Sequence, residues 1–119
     1  MVKYMLPLPL PIQIREYLDR ADRSPFRIWL RQLNADAARK VTTSLYRLSL
    51  GNFSSVKGVG GSIFECKIDF GPGYRIYFGK DGDTIVILLA GGTKHSQSKD
   101  ILNAQDRWQD YKLRKRSKL

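Results

Sequence analysis

The sequence has few of the residues on which metal sites and disulfide frameworks depend. Its 119 residues include one cysteine, Cys66, and one histidine, His95. A single cysteine excludes an internal disulfide, and one cysteine with one histidine provides no metal-ligand cluster. A ribonuclease mechanism that needs two histidines is excluded for the same reason. No Walker-type glycine loop is present either, so we predict no metal and no small-molecule cofactor.

Long hydrophobic runs are also missing. The first 14 residues, MVKYMLPLPLPIQI, contain a short apolar run that three prolines interrupt, which is unlike a secretory signal. No stretch approaches the ~20 apolar residues of a membrane helix. We therefore expect a cytoplasmic protein without a membrane partner. A chain of this length fits a single domain, residues 1–119.

Positive charge is the main compositional feature. Lysine and arginine total 21 against 11 acidic residues, giving a net charge of +10. This balance is typical of proteins that bind polyanions. Half of the excess comes from the basic tail, residues 112–119, so the remaining +5 is the better indicator of a binding surface.

Hydrophobic periodicity predicts an α+β fold. Residues 12–18 form a first strand; Ser24 and Pro25 then cap a helix, and a second helix begins near Asp36 and ends at Gly51. Residues 53–62, rich in glycine and serine, are predicted to be a loop. Three strands follow, at 64–70, 74–78 and 84–90, and then a last helix capped by Ser98.

The two strands around Gly-Pro-Gly determine the predicted site. With a three-residue turn, Asp69 would face Arg75 and Lys67 would face Tyr77. The next turn would place Arg75 opposite Leu88 and Tyr77 opposite Val86. Two anions compete for a half-buried Arg75 in this arrangement: the carboxylate of Asp69, or a phosphate from outside. Both interpretations stay open at this point.

Other basic residues flank the same strands. Lys57 lies in the predicted loop, and Lys94, His95 and Lys99 precede or begin the last helix. Solvated lysines are the ordinary interpretation of each one, but with Lys67 and Arg75 they form a plausible phosphate groove. Cys66 falls on an apolar strand face, where we expect a buried small hydrophobic residue and not a nucleophile.

The sequence resembles the RelE/ParE superfamily of bacterial toxins, and within it the HigB-like group of phage-derived addiction module killer proteins. The resemblance covers nearly the whole chain after residue 12. Its most specific motifs are GPGYR and GGTK-SQ-DI, and the matching segments are FRIWLRQLNADAARKV (26–41), LYRLSLGN (45–52), VKGVGG (56–61), FECKIDFGPGYRIYF (64–78) and VILLAGGTKHSQSKDI (86–101).

The resemblance implies a RelE-like fold, a small mostly antiparallel sheet with two N-terminal helices and a C-terminal helix. It implies the toxin of a type II toxin–antitoxin module, with a helix-turn-helix antitoxin as partner. Active relatives are endoribonucleases that enter the ribosome and cleave mRNA without metal, through attack of the ribose 2′-OH on its own 3′-phosphate. The ParE branch suggests an alternative, a non-nucleolytic toxin that inhibits a protein such as DNA gyrase.

The same resemblance assigns roles to individual residues. Arg75 matches the arginine that supports the scissile phosphate, and Lys67 matches a lysine beside it. Lys94 and His95 match groups near the leaving oxygen. Lys57 matches a basic residue in the preceding loop. Together with Lys99 and Tyr77, which lie beside the same strands, Lys57 is predicted to bind RNA. This chain departs from the pattern by carrying Glu65 where RelE-type relatives have a second lysine, and Ile101 where they have a tyrosine.

Overall fold

The computed structural model describes residues 11–118, so most of the proline-interrupted N-terminal stretch and the last residue of the tail lie outside it. The described chain contains five strands and three helices. Strand β1 spans Gln13–Glu16, and helices α1 and α2 span Pro25–Arg31 and Ala35–Ser49. Strands β2 to β5 and helix α3 follow in this order: Val56–Gly60, Ile63–Ile68, Tyr74–Lys80, Ile85–Thr93 and Gln97–Ser117.

The two N-terminal helices form where the sequence predicts them. The Ser24 side chain accepts a hydrogen bond from the backbone N–H of Arg27, and Pro25 occupies the first turn. Asn34 caps α2 in the same way through the N–H of Ala37. After the end of α2, Gly51 takes a positive φ of 85° that glycine adopts without strain.

The sheet is mixed, with strand order β1-β5-β4-β3-β2. β1 runs parallel to β5, whereas the other three neighbouring pairs are antiparallel. The α+β class predicted from the sequence is therefore confirmed. Within residues 11–118, no helix is both long and apolar enough to cross a membrane.

The loop predicted over residues 53–62 was wrong, because β2 lies inside it. Its composition suggested a loop, but Val56 and Val59 are half-buried and β2 pairs with β3 at the edge of the sheet. The pairing is irregular between Gly58 and Gly60, as expected for a glycine-rich edge strand. This strand brings Lys57 into the sheet.

Hydrophobic clusters cover both faces of the sheet. On one face, Phe26, Val41 and Leu48 of α1 and α2 pack against Ile76 and neighbouring strand residues. On the other face, Ala104 and Trp108 of α3 pack against a second cluster that includes Tyr77 and Leu89. β4 and β5 are buried along nearly their whole length, and burial on both faces accounts for the continuous apolar run at residues 85–90 of β5.

Helix α3 begins earlier than predicted. A short 3-10 helix, Lys94–Ser96, leads directly into Gln97, so Ser98 lies within the first turn and Ser96 occupies the capping position. The helix then continues to Ser117. Most of the basic tail is therefore helical. Its charged residues lie in the last turns of α3, after Trp108, which packs in the second cluster.

Candidate active site

The register of β3 and β4 brings the predicted site residues together in a new arrangement. Lys67 pairs with Arg75, and Glu65 pairs with Tyr77. On the outer side of β3, Lys57 of β2 pairs with Glu65. All five side chains are on the face that α3 covers, and they form two adjacent rows across three strands.

The register predicted from the sequence was wrong by two residues. β3 ends at Ile68 and β4 begins at Tyr74, so the connection has five residues and not three. Within it, the N–H of Gly73 donates to the carbonyl of Phe70, and both Gly71 and Gly73 have positive φ angles. A similar correction applies to β5, where Arg75 pairs with Gly92 and Tyr77 with Ala90.

Arg75 lies at the start of the central strand with only 8% of its side chain exposed. Its Nε atom is 3.5 Å from Oε2 of Glu65 but has no partner in hydrogen-bond geometry within residues 11–118. Its Nη1 donates a long bond of 3.5 Å to the carbonyl of Gly73. The guanidinium thus retains unused donors in a nearly buried position.

Asp69 is not the partner of Arg75. Its side chain is exposed in the β3–β4 connection, and its nearest cation is the Nζ of Lys67 at 3.8 Å. The intramolecular anion beside Arg75 is instead Glu65, which spacing did not identify because the turn length was misjudged. The alternation of β3 indicates that residue 65 shares the face of Arg75, but only the turn length shows that it lies closer to Arg75 than Asp69 does.

Glu65 is the most buried charged side chain of the site, with 1% of its surface exposed. Its Oε2 accepts a hydrogen bond of 2.7 Å from Nε2 of Gln97 at the start of α3. Its Oε1 lies 3.9 Å from the Nζ of Lys57. Three segments that are far apart in the chain therefore converge on one carboxylate.

Tyr77 lies beneath α3 and is fully buried, so its ring is not available to stack on a base. Burial, and next the neighbouring Glu65 carboxylate, raise the pKa of Tyr77 well above its usual value. Cys66 points to the opposite face, where burial raises its thiol pKa to about 11. The prediction that Cys66 is a buried hydrophobic residue is confirmed.

Lys94 and His95 follow directly after β5 and are exposed. The N–H of Lys94 donates to the carbonyl of Gly73 at 3.0 Å, the same oxygen that Nη1 of Arg75 approaches. The backbone of this segment is therefore held next to Arg75. Lys99 is exposed in the first turn of α3.

An open groove of about 720 Å³ adjoins this cluster between α2 and the β2–β3 edge. Lys57, Glu65 and Lys67 line one side of it. Three further cations on the exposed side of α2 line the other, and sequence analysis did not select them: Arg39, Lys40 and Arg47. In the sequence these three residues belong to the polar face of an amphipathic helix. Such a face is common to surface helices, so it does not indicate a binding site.

The lining of the groove has mixed charge with an excess of cations. It contains two carboxylates, Glu65 and Asp69, and five cations: Arg39, Lys40, Arg47, Lys57 and Lys67. Among residues 11–118 no group of three or more histidine, cysteine, aspartate and glutamate side chains could hold a metal ion. The described side chains therefore offer the binding of anions, both along the groove and at the nearly buried Arg75, which does not itself line the groove.

Fold and site define a class: a small basic α+β protein with a nearly buried arginine on the central strand of a mixed sheet and a cationic groove between α2 and the β2–β3 edge. No family model matches the chain. It is 44% identical over 81 residues to a protein of Haemophilus influenzae (strain ATCC 51907 / DSM 11121 / KW20 / Rd) described as uncharacterized. The matched region covers 67% of this chain and 82% of the relative, so the chain belongs to the same family as that protein.

Proposed function

We propose that this protein is the toxin of a type II toxin–antitoxin module, with a RelE-like fold, and that it inhibits translation as a ribosome-dependent mRNA endoribonuclease. The observation that carries the proposal is the nearly buried Arg75 guanidinium, which has unused donors and pairs across the sheet with Lys67. A buried arginine without a full set of partners is costly, and a phosphate supplies the missing acceptors. The motifs shared with the HigB-like group agree with this function.

The proposed reaction is a transesterification within the RNA. The 2′-oxygen attacks the adjacent phosphorus, the bond to the 5′-oxygen breaks, and the products are a 2′,3′-cyclic phosphate and a 5′-OH. Arg75 stabilises the negative charge on the equatorial phosphate oxygens, and such donors contribute about 10²–10³ in rate. In this proposal Lys67 is the proton acceptor for the 2′-OH, and His95 is the proton donor to the leaving oxygen.

The remaining basic residues bind the substrate in this proposal. Lys57 on β2 lies opposite Glu65, two strands away from Arg75, and Lys94 directly follows β5; both are exposed. The net charge of +10 favours association with ribosomal RNA and mRNA. An antitoxin of the helix-turn-helix class is the expected protein partner.

A ribosome-based cleavage assay tests the function. Purified protein is added to ribosomes programmed with mRNA, and new 5′ ends are mapped by primer extension. We expect discrete cuts with the wild-type protein and at least a tenfold loss with Lys67→Gln. Lys115→Gln is the matched control, because Lys67 and Lys115 each have 53% of the side chain exposed.

Absence of cuts with the wild-type protein would contradict the nuclease function. If expression then still arrests growth and changes plasmid supercoiling without cleaving mRNA, the protein is a gyrase-type toxin instead. Equal loss of activity in Lys67→Gln and Lys115→Gln would show that the site was placed on the wrong residues.

A further inference from the structure

We infer that Glu65 is a positioning residue, which holds Arg75 and the segment 94–97 at a fixed separation for phosphate binding. The inference rests on the proposed function, and it changes how Glu65 is interpreted. A carboxylate in a phosphate site lowers its positive potential, so charge alone assigns Glu65 an inhibitory role. The contacts of Glu65 favour a structural role in the assembly of the site.

The burial of Glu65 is the first observation. A carboxylate with 1% of its surface exposed has lost its hydration and must be compensated by donors. The structure provides Gln97 at 2.7 Å, Arg75 at 3.5 Å and Lys57 at 3.9 Å. These three donors come from α3, β4 and β2, while Glu65 itself belongs to β3.

The geometry around Arg75 is the second observation. Glu65 approaches the Nε side of the guanidinium from 3.5 Å and does not form a close paired contact with it. Arginine has five N–H donors, and a bidentate carboxylate would occupy two of them. The arrangement therefore orients the guanidinium while leaving donors for a ligand.

The identity of Gln97 is the third observation. A neutral amide satisfies one oxygen of Glu65 without cancelling its charge, so the carboxylate still attracts Arg75 and Lys57. Gln97 is the first residue of α3 and follows directly on Lys94–Ser96. Its hydrogen bond to Glu65 therefore fixes the segment that carries Lys94 and His95 against the strand that precedes Arg75.

Two variants separate positioning from inhibition. Glu65→Gln removes the charge but keeps the shape, and Gln97→Met removes the hydrogen bond but keeps Glu65. Gln105→Met is the matched control, because Gln105 lies on the same helix, is also half-buried and makes only a long contact of 3.5 Å to the carbonyl of Gly60. Thermal melting first establishes that each variant is folded. Because Gln97 is partly exposed, Gln97→Met still tests the inference if Glu65→Gln does not fold.

The kinetic readout is cleavage on programmed ribosomes. We expect a 10- to 100-fold fall in kcat for Glu65→Gln and Gln97→Met, because a misplacement near 1 Å has effects of this size. We expect KM to change less than threefold, with Gln105→Met unchanged. An inhibitory role predicts the reverse for Glu65→Gln, namely faster cleavage. An unchanged or raised kcat in Gln97→Met and in any folded Glu65→Gln would overturn the inference.

A second readout does not depend on cleavage. The Arg75 Nε–H resonance is followed by NMR, with inorganic phosphate as the probe. We expect slow hydrogen exchange and a phosphate-dependent shift in the wild-type protein, and at least tenfold faster exchange in the two site variants. If the wild-type protein does not cleave mRNA, the function proposed above fails while this result still decides the role of Glu65. Equal exchange in all proteins would refute it.

Discussion

Lys67 and Arg75 are direct cross-strand partners on β3 and β4, and both are cationic. Like charges directly opposite each other destabilise a sheet. The nearest acidic groups relieve this only in part, since Glu65 lies on the Arg75 side and Asp69 near Lys67 is 92% exposed. A pair of this kind is unfavourable for folding and favourable for binding an anion, which links the register of the sheet to the proposed function.

Neutralising Lys67 is therefore expected to stabilise the protein. Lys67→Gln should raise the free energy of unfolding by about 0.2–1 kcal/mol while lowering cleavage. Lys115→Gln should do the opposite, because its Nζ contacts both oxygens of Asp81 at 2.5 and 2.6 Å. Urea unfolding at low and high salt measures both effects, and salt should diminish the gain in Lys67→Gln. A loss of stability in Lys67→Gln would show that the cationic pair carries no repulsion.

Asp81 gives the protein an acid-sensitive contact at the other end of the sheet. Hydrogen bonds from Lys115 and then Tyr111 lower the pKa of Asp81 below its usual value. A lowered pKa in the folded state adds stability that is present above the unfolded-state pKa, about 3.9, and is lost as the pH falls through the folded-state value. Asp81→Asn should cost about 1–2 kcal/mol at neutral pH.

The measurement for Asp81 is the free energy of unfolding from pH 7 to pH 2. The wild-type and Asp81→Asn curves should converge as the pH falls below about 4. Curves that stay parallel over this range would contradict the assigned contacts. At the alkaline end, burial and then Asp81 raise the pKa of Tyr111 to about 12. The neutral phenol of Tyr111 therefore stabilises the folded state, and this contribution is lost as the pH rises through that value.

Local sequence signals predicted α1 and α2 closely, whereas the predicted cap of α3 was wrong by two residues. Ser24 caps α1 as predicted, because a cap of this kind acts over three or four residues and the neighbouring sequence contains the whole signal. The edge strand β2 was missed for a related reason. Its glycines and serines have loop-like composition, and only pairing with β3 makes the segment extended.

The site depended on information that spacing did not contain. The length of the turn between Ile68 and Tyr74 sets which residues are paired, and a two-residue error replaced Glu65 by Asp69 as the neighbour of Arg75. The contact between Glu65 and Gln97 joins residues 32 positions apart. No local pattern specifies such a contact, although the choice of Arg75 as the central residue followed from its strand position.

Two glycines test how closely α1 packs on the sheet. A Cβ atom on Gly91 would lie 2.1 Å from the ring of Trp29, whereas a Cβ on Gly58 would meet nothing within 4 Å. Gly91→Ala should destabilise the protein by about 1–3 kcal/mol or prevent folding, since α1 must move away. Gly58→Ala should be neutral or stabilise it by up to about 1 kcal/mol, because alanine restricts the unfolded chain. Thermal melting compares the two, and similar melting temperatures would contradict the packing of Trp29.

The cationic side of α2 should bind RNA phosphates, and the salt dependence of RNA binding should show this. Arg47 lines the groove beside Lys57, whereas Arg116 lies near the far end of α3, about 30 Å along the helix from Gln97. Each phosphate contact to a single strand contributes about 0.7 to the slope of log K against log salt. Arg47→Gln should therefore make the slope less negative by about 0.7, and Arg116→Gln should leave it unchanged.

An all-2′-deoxy strand suits this measurement, because it lacks the attacking 2′-OH and cannot be cleaved in the proposed reaction. Fluorescence anisotropy at several salt concentrations gives the slope for each protein. Equal changes in Arg47→Gln and Arg116→Gln would indicate that RNA is attracted by the net charge and has no defined binding surface in the groove. A change confined to Arg116→Gln would move the binding surface from the groove to the C-terminal part of α3.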